Sequence, residues 1–178
     1  LRSLGVERAQ AAKGAVVFDA PVRVLAELGV FSRIASRVLW TMRRFRVETP
    51  EALIGELAAI RFERVLDERT TFAVEAHLSR APWAHTLYAA QRVKDVIVDR
   101  LRAKRRPRPS VDLERPDVRF VLHWEGAEVT FALDTTGTPL HRRGYRPRDA
   151  GPAPMRENLA AAMLAIGHAD PTPGAQAR

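Results

Sequence analysis

"VRFVLHWEGAEVTFALD", residues 118–134, alternates apolar and polar side chains on both sides of Gly126-Ala127. Val118, Phe120, Leu122 and Trp124 before that pair, and Val129, Phe131 and Leu133 after it, fall on one face of a pleated ribbon, because successive strand side chains point to opposite sides. A two-residue Gly-X connection suits a type II′ turn, whose first central residue needs a positive φ. The stretch therefore predicts a hairpin with one buried face, and a buried sheet face requires other elements to cover it.

The flanking sequence supplies them. "TTFAVEAHL" (70–78) sets Phe72, Val74, Ala76 and Leu78 against Thr71, Ala73, Glu75 and His77, a period of two that predicts another strand. From Trp83 to about Arg105 the stripe Leu87, Ala90, Val93, Ile97 and Leu101 predicts a long helix, stopped by Pro107 and Pro109. Thr49, Pro50 and Glu51 read as an N-cap, a first-turn proline and an acidic first turn, opening a helix to about Ile60. Ahead of it, "LRSLGVERA" reads as the end of an amphipathic helix whose start is missing. Ala15 to Ala20 reads as a buried strand, the segment after Pro21 as a helix carrying Val24, Leu25, Leu28 and Phe31, and Ser36 to Thr49 as a half-exposed strand. A last helix starts at Pro154 with Met155, Leu159, Met163 and Ile166, followed by a Pro/Gly/Ala tail. The fold class is α/β (α+β), and the chain reads as a piece of a longer protein.

Composition narrows the chemistry. The 178 residues are 46% hydrophobic and 28% charged, enough for one or two small packed domains. There are no cysteines, and His77, His85, His123, His141 and His168 show no metal-ligand spacing, so no metal is expected. No apolar run approaches the ~20 residues of a membrane span, and no signal peptide is visible, so the expected partners do not include a membrane and the expected location is the cytoplasm.

Charge is the positive signal. The net charge is +8, with arginine far more frequent than lysine. Between Arg80 and Arg108 there are nine Lys and Arg and two acids. Arg142, Arg143, Arg146, Arg148 and Arg156 follow with Asp149 the only acid among them, and Tyr145 lies in their midst. Basic residues at a helix end also complement the helix dipole. Two clusters, one flanking an aromatic, favour a phosphate-backbone footprint, since guanidinium groups grip phosphates bidentately and an exposed ring stacks on a base. "DTTGT" (134–138) is like the phosphorylated D-K-T-G-T loop of cation pumps, but Thr135 stands where the lysine belongs. Asp134 reads instead as a residue that caps the end of the hairpin strand, while Thr135, Thr136 and Gly137 make the turn. No catalytic residue is assigned.

The motifs "VKDVIVD" (93–99), "RPSVD…PD" (108–117), "ALDTTGTPLHRRGYR" (132–146) and "APMRENLAAAML" (153–164) closely resemble the THUMP module of bacterial ribosomal RNA guanine-N2 methyltransferases. Members of that group are easily taken for N6-adenine-specific DNA methylases. The resemblance implies an incomplete ferredoxin-like unit at 1–48, a THUMP domain at 49–148 and, at 149–178, a linker and first helix leading to a methyltransferase domain. It further implies that the module binds structured RNA and presents it to a domain using S-adenosylmethionine. The family's D-P-x-C-G-S-G-T-like cofactor motif and Asn-Pro-Pro-aromatic tetrapeptide are not in this sequence, so no cofactor site is expected in this segment. Charge and resemblance together nominate Arg100, Arg102, Lys104, Arg105, Arg106 and Arg108 at the helix end, with Arg142, Arg143, Tyr145 and Arg146 on the following arm, as RNA-binding residues. The rival reading is a docking domain whose basic surfaces meet the catalytic domain and which has little RNA affinity of its own.

Overall fold

The computed structural model describes residues 4–12, 14–104, 109–144 and 153–167. Two compact units are present, one made of 1–38 with 138–178, the other of 39–137.

In the first unit, β1 (Ala9–Ala12) and β2 (Ala15–Phe18) form an antiparallel hairpin, followed by α1 (Arg23–Phe31). Val24 and Leu28 of α1 are buried with Val6 and Val38 in a small core, against which Leu4, Phe18, Leu25 and Leu140 pack. Two expectations change here. Of the segment 1–9 read as a helix end, the described residues 4–8 form no α-helix, and Ala9 opens β1 by pairing with Phe18. The strand expected to be buried is open, with Val16 and Val17 52% and 45% exposed, since it belongs to a two-stranded ribbon rather than to a larger sheet.

The second unit is built on a four-stranded mixed sheet ordered β3-β6-β5-β4, made of β3 (Leu39–Arg46), β4 (Phe72–Ser79), β5 (Val118–Glu125) and β6 (Glu128–Asp134). The quoted hairpin is β5 and β6, antiparallel in the expected register, with Gly126 at φ 57° in its turn. β4 lies parallel to β5, and the connection between them runs through α3 (Thr86–Ala103), as parallel neighbours require. β3 precedes the boundary expected at residue 48, and it pairs along its length with β6, from Leu39 opposite Asp134 to Arg46 opposite Glu128. Its apolar residues gave no sign of a partner so far along the chain.

One sheet face is sealed by α2 (Pro50–Ala58), the 3-10 turn Phe62–Arg64 and α3. Leu53 and Leu57 of α2 and Val93, Ile97 and Leu101 of α3 are fully or almost fully buried there. They meet a cluster of aromatic rings: Phe120 lies 5.6 Å edge-on to Phe62 and stacks on Phe131 at 5.5 Å, while Trp124 meets Trp83 at 5.4 Å. α3 starts at Thr86 rather than Trp83, and Leu87, expected in its stripe, is 70% exposed. Ala89, not Leu87, completes the buried stripe, because Trp83 already fills the space beside Trp124.

Thr49 caps α2 as expected, its Oγ1 accepting from the Ala52 N–H at 3.2 Å, with Pro50 in the first turn. Replacing it by alanine leaves that N–H without its side-chain partner, and an N-cap loss costs about 1 kcal/mol. A Thr49→Ala variant should show that decrease in urea unfolding, and Thr49→Asp should restore it.

Candidate nucleic-acid interface

α3 ends in Arg100, Arg102 and Lys104, and what these side chains do differs. Arg100 turns back onto the fold: its Nη2 lies 3.8 Å from Glu63 Oε1, and its side chain is 24% exposed. The pair ties the last turn of α3 to the 3-10 turn Phe62–Arg64, so Arg100 serves first as a positioning residue. Arg102 is 61% exposed and within 3.9 Å of Asp99 one turn back, and Lys104 is exposed at the C-cap. Arg105, Arg106 and Arg108 lie outside the described residues.

The Arg100–Glu63 contact brings two further cations to this surface. Arg61 and Arg64 flank Phe62 and Glu63, are exposed, and make no ion pair among the described residues. Through that contact the turn carrying Arg61 and Arg64 lies beside the last turn of α3, which carries Arg102 and Lys104 and whose partial negative charge favours cations. Sequence reading missed Arg61 and Arg64 because "IRFERVLDER" mixes both signs. The usable signal was the placement of Phe62, whose burial turns its neighbours outward.

On the arm, Arg143 is committed to the backbone of its own unit. Its guanidinium donates to the carbonyls of Gly29 (3.1 Å), Val30 (2.8 Å) and Ser32 (2.8 Å), and its Nε to that of Leu140 (3.0 Å). The first three are the otherwise unpaired carbonyls at the end of α1, a place where a cation is doubly favoured. Arg143→Ala should therefore lower stability by about 1 kcal/mol, a value reduced for solvent exposure, and leave the salt dependence of any RNA binding unchanged. Urea unfolding and a binding series on the same variant check both. Arg142 is exposed, and Tyr145 and Arg146 lie outside the described residues.

Asp134 is 7% exposed at the end of β6 and accepts hydrogen bonds from the N–H and hydroxyl of Thr136, the turn-forming role read from "DTTG". At the same end of the sheet, Asp117 accepts from the Thr71 N–H at 2.8 Å and hydroxyl at 2.7 Å, which holds its carboxyl below the usual carboxylate range. Neither carboxylate faces a metal-binding group: no cluster of three or more His, Asp or Glu suited to a metal occurs among the described residues. Nor is any described helix long and apolar enough to cross a membrane.

Residues 48–134 match the family model of the THUMP domain. This segment is a THUMP domain. It contains α2, the 3-10 turn, β4, α3, β5 and β6, so the Arg61, Arg64, Arg102 and Lys104 surface belongs to the THUMP domain alone, while β3 precedes the match and completes its sheet. The chain is 41% identical over 164 residues to the ribosomal RNA large subunit methyltransferase K/L of Syntrophotalea carbinolica, covering 92% of this chain and 23% of that protein. It is 42% identical to the same-named protein of Pseudomonas aeruginosa, covering 92% and 22%. Among solved structures, a predicted N6-adenine-specific DNA methylase from Listeria monocytogenes superposes with a TM-score of 0.79 at 25% identity, over 93% of this chain and 43% of that one. The chain thus spans less than a quarter of the length of these curated relatives.

Proposed function

We propose that this chain binds structured RNA, and ribosomal RNA in particular, through the α3-end surface of its THUMP domain, and presents it to a methyltransferase domain of a longer protein. The observation that carries the reading is the exposed group Arg61, Arg64, Arg102 and Lys104 within a THUMP domain whose relatives are named ribosomal RNA methyltransferases. Four cations at and beside one helix end suit phosphates, which attract through counterion release irrespective of sequence. Duplex RNA is recognised mainly by its shape and backbone, for which a rigid basic surface is sufficient. S-adenosylmethionine would supply the methyl group in the longer protein. In this reading the cofactor belongs to the portion of the relatives beyond the match, and the longer protein is a cytoplasmic enzyme.

A specific observation favours a second role beside the first. α4 (Glu157–Ile166) has no buried residue, and Leu159, Met163, Leu164 and Ile166 are all more than half exposed. An apolar helix of this kind suits packing against a further domain.

Fluorescence anisotropy with a labelled RNA hairpin, competed by unlabelled hairpin or by a DNA duplex of matched length, tests the main reading. RNA should compete more strongly. Equal competition by the DNA duplex would replace RNA recognition with general polyanion binding, and absence of binding would leave docking as the function.

A further inference from the structure

The sheet face opposite the helices carries a row of side chains that neither the core nor the α3-end surface uses. Strand register places Arg44 of β3 beside Thr130 of β6, Thr130 beside His123 of β5, and His123 beside His77 of β4. Arg44, His123 and His77 are exposed and Thr130 is half-buried. The two imidazoles are stacked, with centroids 4.6 Å apart and planes 15° from parallel. That separation is close to the roughly 4.8 Å between neighbouring strands, so both rings stand upright on the sheet.

We propose that this row is a seat for one unpaired RNA base, inserted above Thr130 between the His123 ring and the Arg44 guanidinium. The inference rests on the RNA-binding reading and adds a ligand class and a location to it. Two strand spacings separate β5 from β3, roughly 10 Å. A flat ring in van der Waals contact on both faces needs about 7–8 Å, so an upright imidazole and a flexible guanidinium can close on a base. Both groups stack on bases. The Thr130 hydroxyl on the floor donates and accepts, and so tolerates different base edges.

Charge around this face is arranged to suit. Three of its glutamates each have an arginine: Glu75 lies 4.0 Å from Arg119, Glu125 lies 3.0 Å from Arg80, and Glu128 pairs with Arg46. Arg44 makes no ion pair among the described residues and is left for a phosphate or a base. Burial and the neighbouring His77 hold the His123 pKa below its ordinary value, with Glu75 opposing, which favours the neutral ring and its π face.

The test compares a labelled RNA hairpin bearing a four-nucleotide 3′ overhang with the same hairpin blunt, using the whole 178-residue chain. The overhang should tighten binding about tenfold, the size of one base–ring stack. His123→Ala and Arg44→Ala should each abolish that advantage while leaving blunt-hairpin affinity unchanged, which also shows that the variants fold. His123→Phe, which keeps a planar ring, should retain it. No overhang advantage, or an advantage that survives both alanine variants, overturns the seat and leaves the RNA-binding reading standing. Failure to bind either RNA overturns both.

Discussion

Phe120→Ala is expected to lower the unfolding free energy of the 39–137 unit by about 3–5 kcal/mol, the range for removing a buried aromatic ring. Phe120 is completely buried and contacts rings from three other elements: Phe62 of the 3-10 turn, Phe72 of β4 and Phe131 of β6. Its deletion opens a cavity where those elements join, and rigid neighbours on all sides prevent collapse into the space. Set against a typical domain stability of about 5–15 kcal/mol, this is the difference between a folded and a partly unfolded protein at 37 °C. Urea unfolding followed by tryptophan fluorescence, with Trp83 and Trp124 in the same core, reads it directly. A loss below about 1 kcal/mol would mean that this ring cluster does not hold the sheet to its helices.

The second large effect concerns binding. Changing Arg61, Arg64, Arg102 and Lys104 together to glutamine should reduce the slope of log affinity against log salt by up to about three, a little under one unit for each phosphate no longer neutralised. At low salt that amounts to a hundredfold or greater weakening. All four side chains are exposed and none is in the core, so stability should be nearly unchanged. Arg100→Gln should behave differently. Leaving Glu63 without its partner loosens the 3-10 turn from α3 and so affects stability as well as binding.

Local pattern made part of this legible. The hairpin at 118–134, the β4 alternation and the Thr49 cap depend on neighbours within a few residues, and each stands where the sequence placed it. Long-range pairing was not legible. Nothing in "LWTMRRFR" says that its partner is β6, far along the chain. Burial failed where tertiary context decides it. "AVVF" has the composition of a core strand, but it forms a ribbon with β1, and Leu87 fits the stripe of α3 but is exposed in its first turn, where Trp83 packs against Trp124. For the proposed interface, charge counting marks the end of α3 but does not separate Arg100, held by Glu63, from the more exposed Arg102, nor show that Arg143 closes the end of α1. Those assignments depend on which carboxylate or carbonyl comes within reach after folding.

RNA binding through a phosphate-reading surface is the central claim, and the salt dependence of hairpin affinity tests it most directly. Anisotropy titrations from about 50 to 300 mM salt should give a log–log slope near −3 or steeper, as expected for about four neutralised phosphates. A slope near zero, or no binding at the lowest salt, would contradict it and assign the exposed arginines of α3 and its neighbouring turn to contacts with protein.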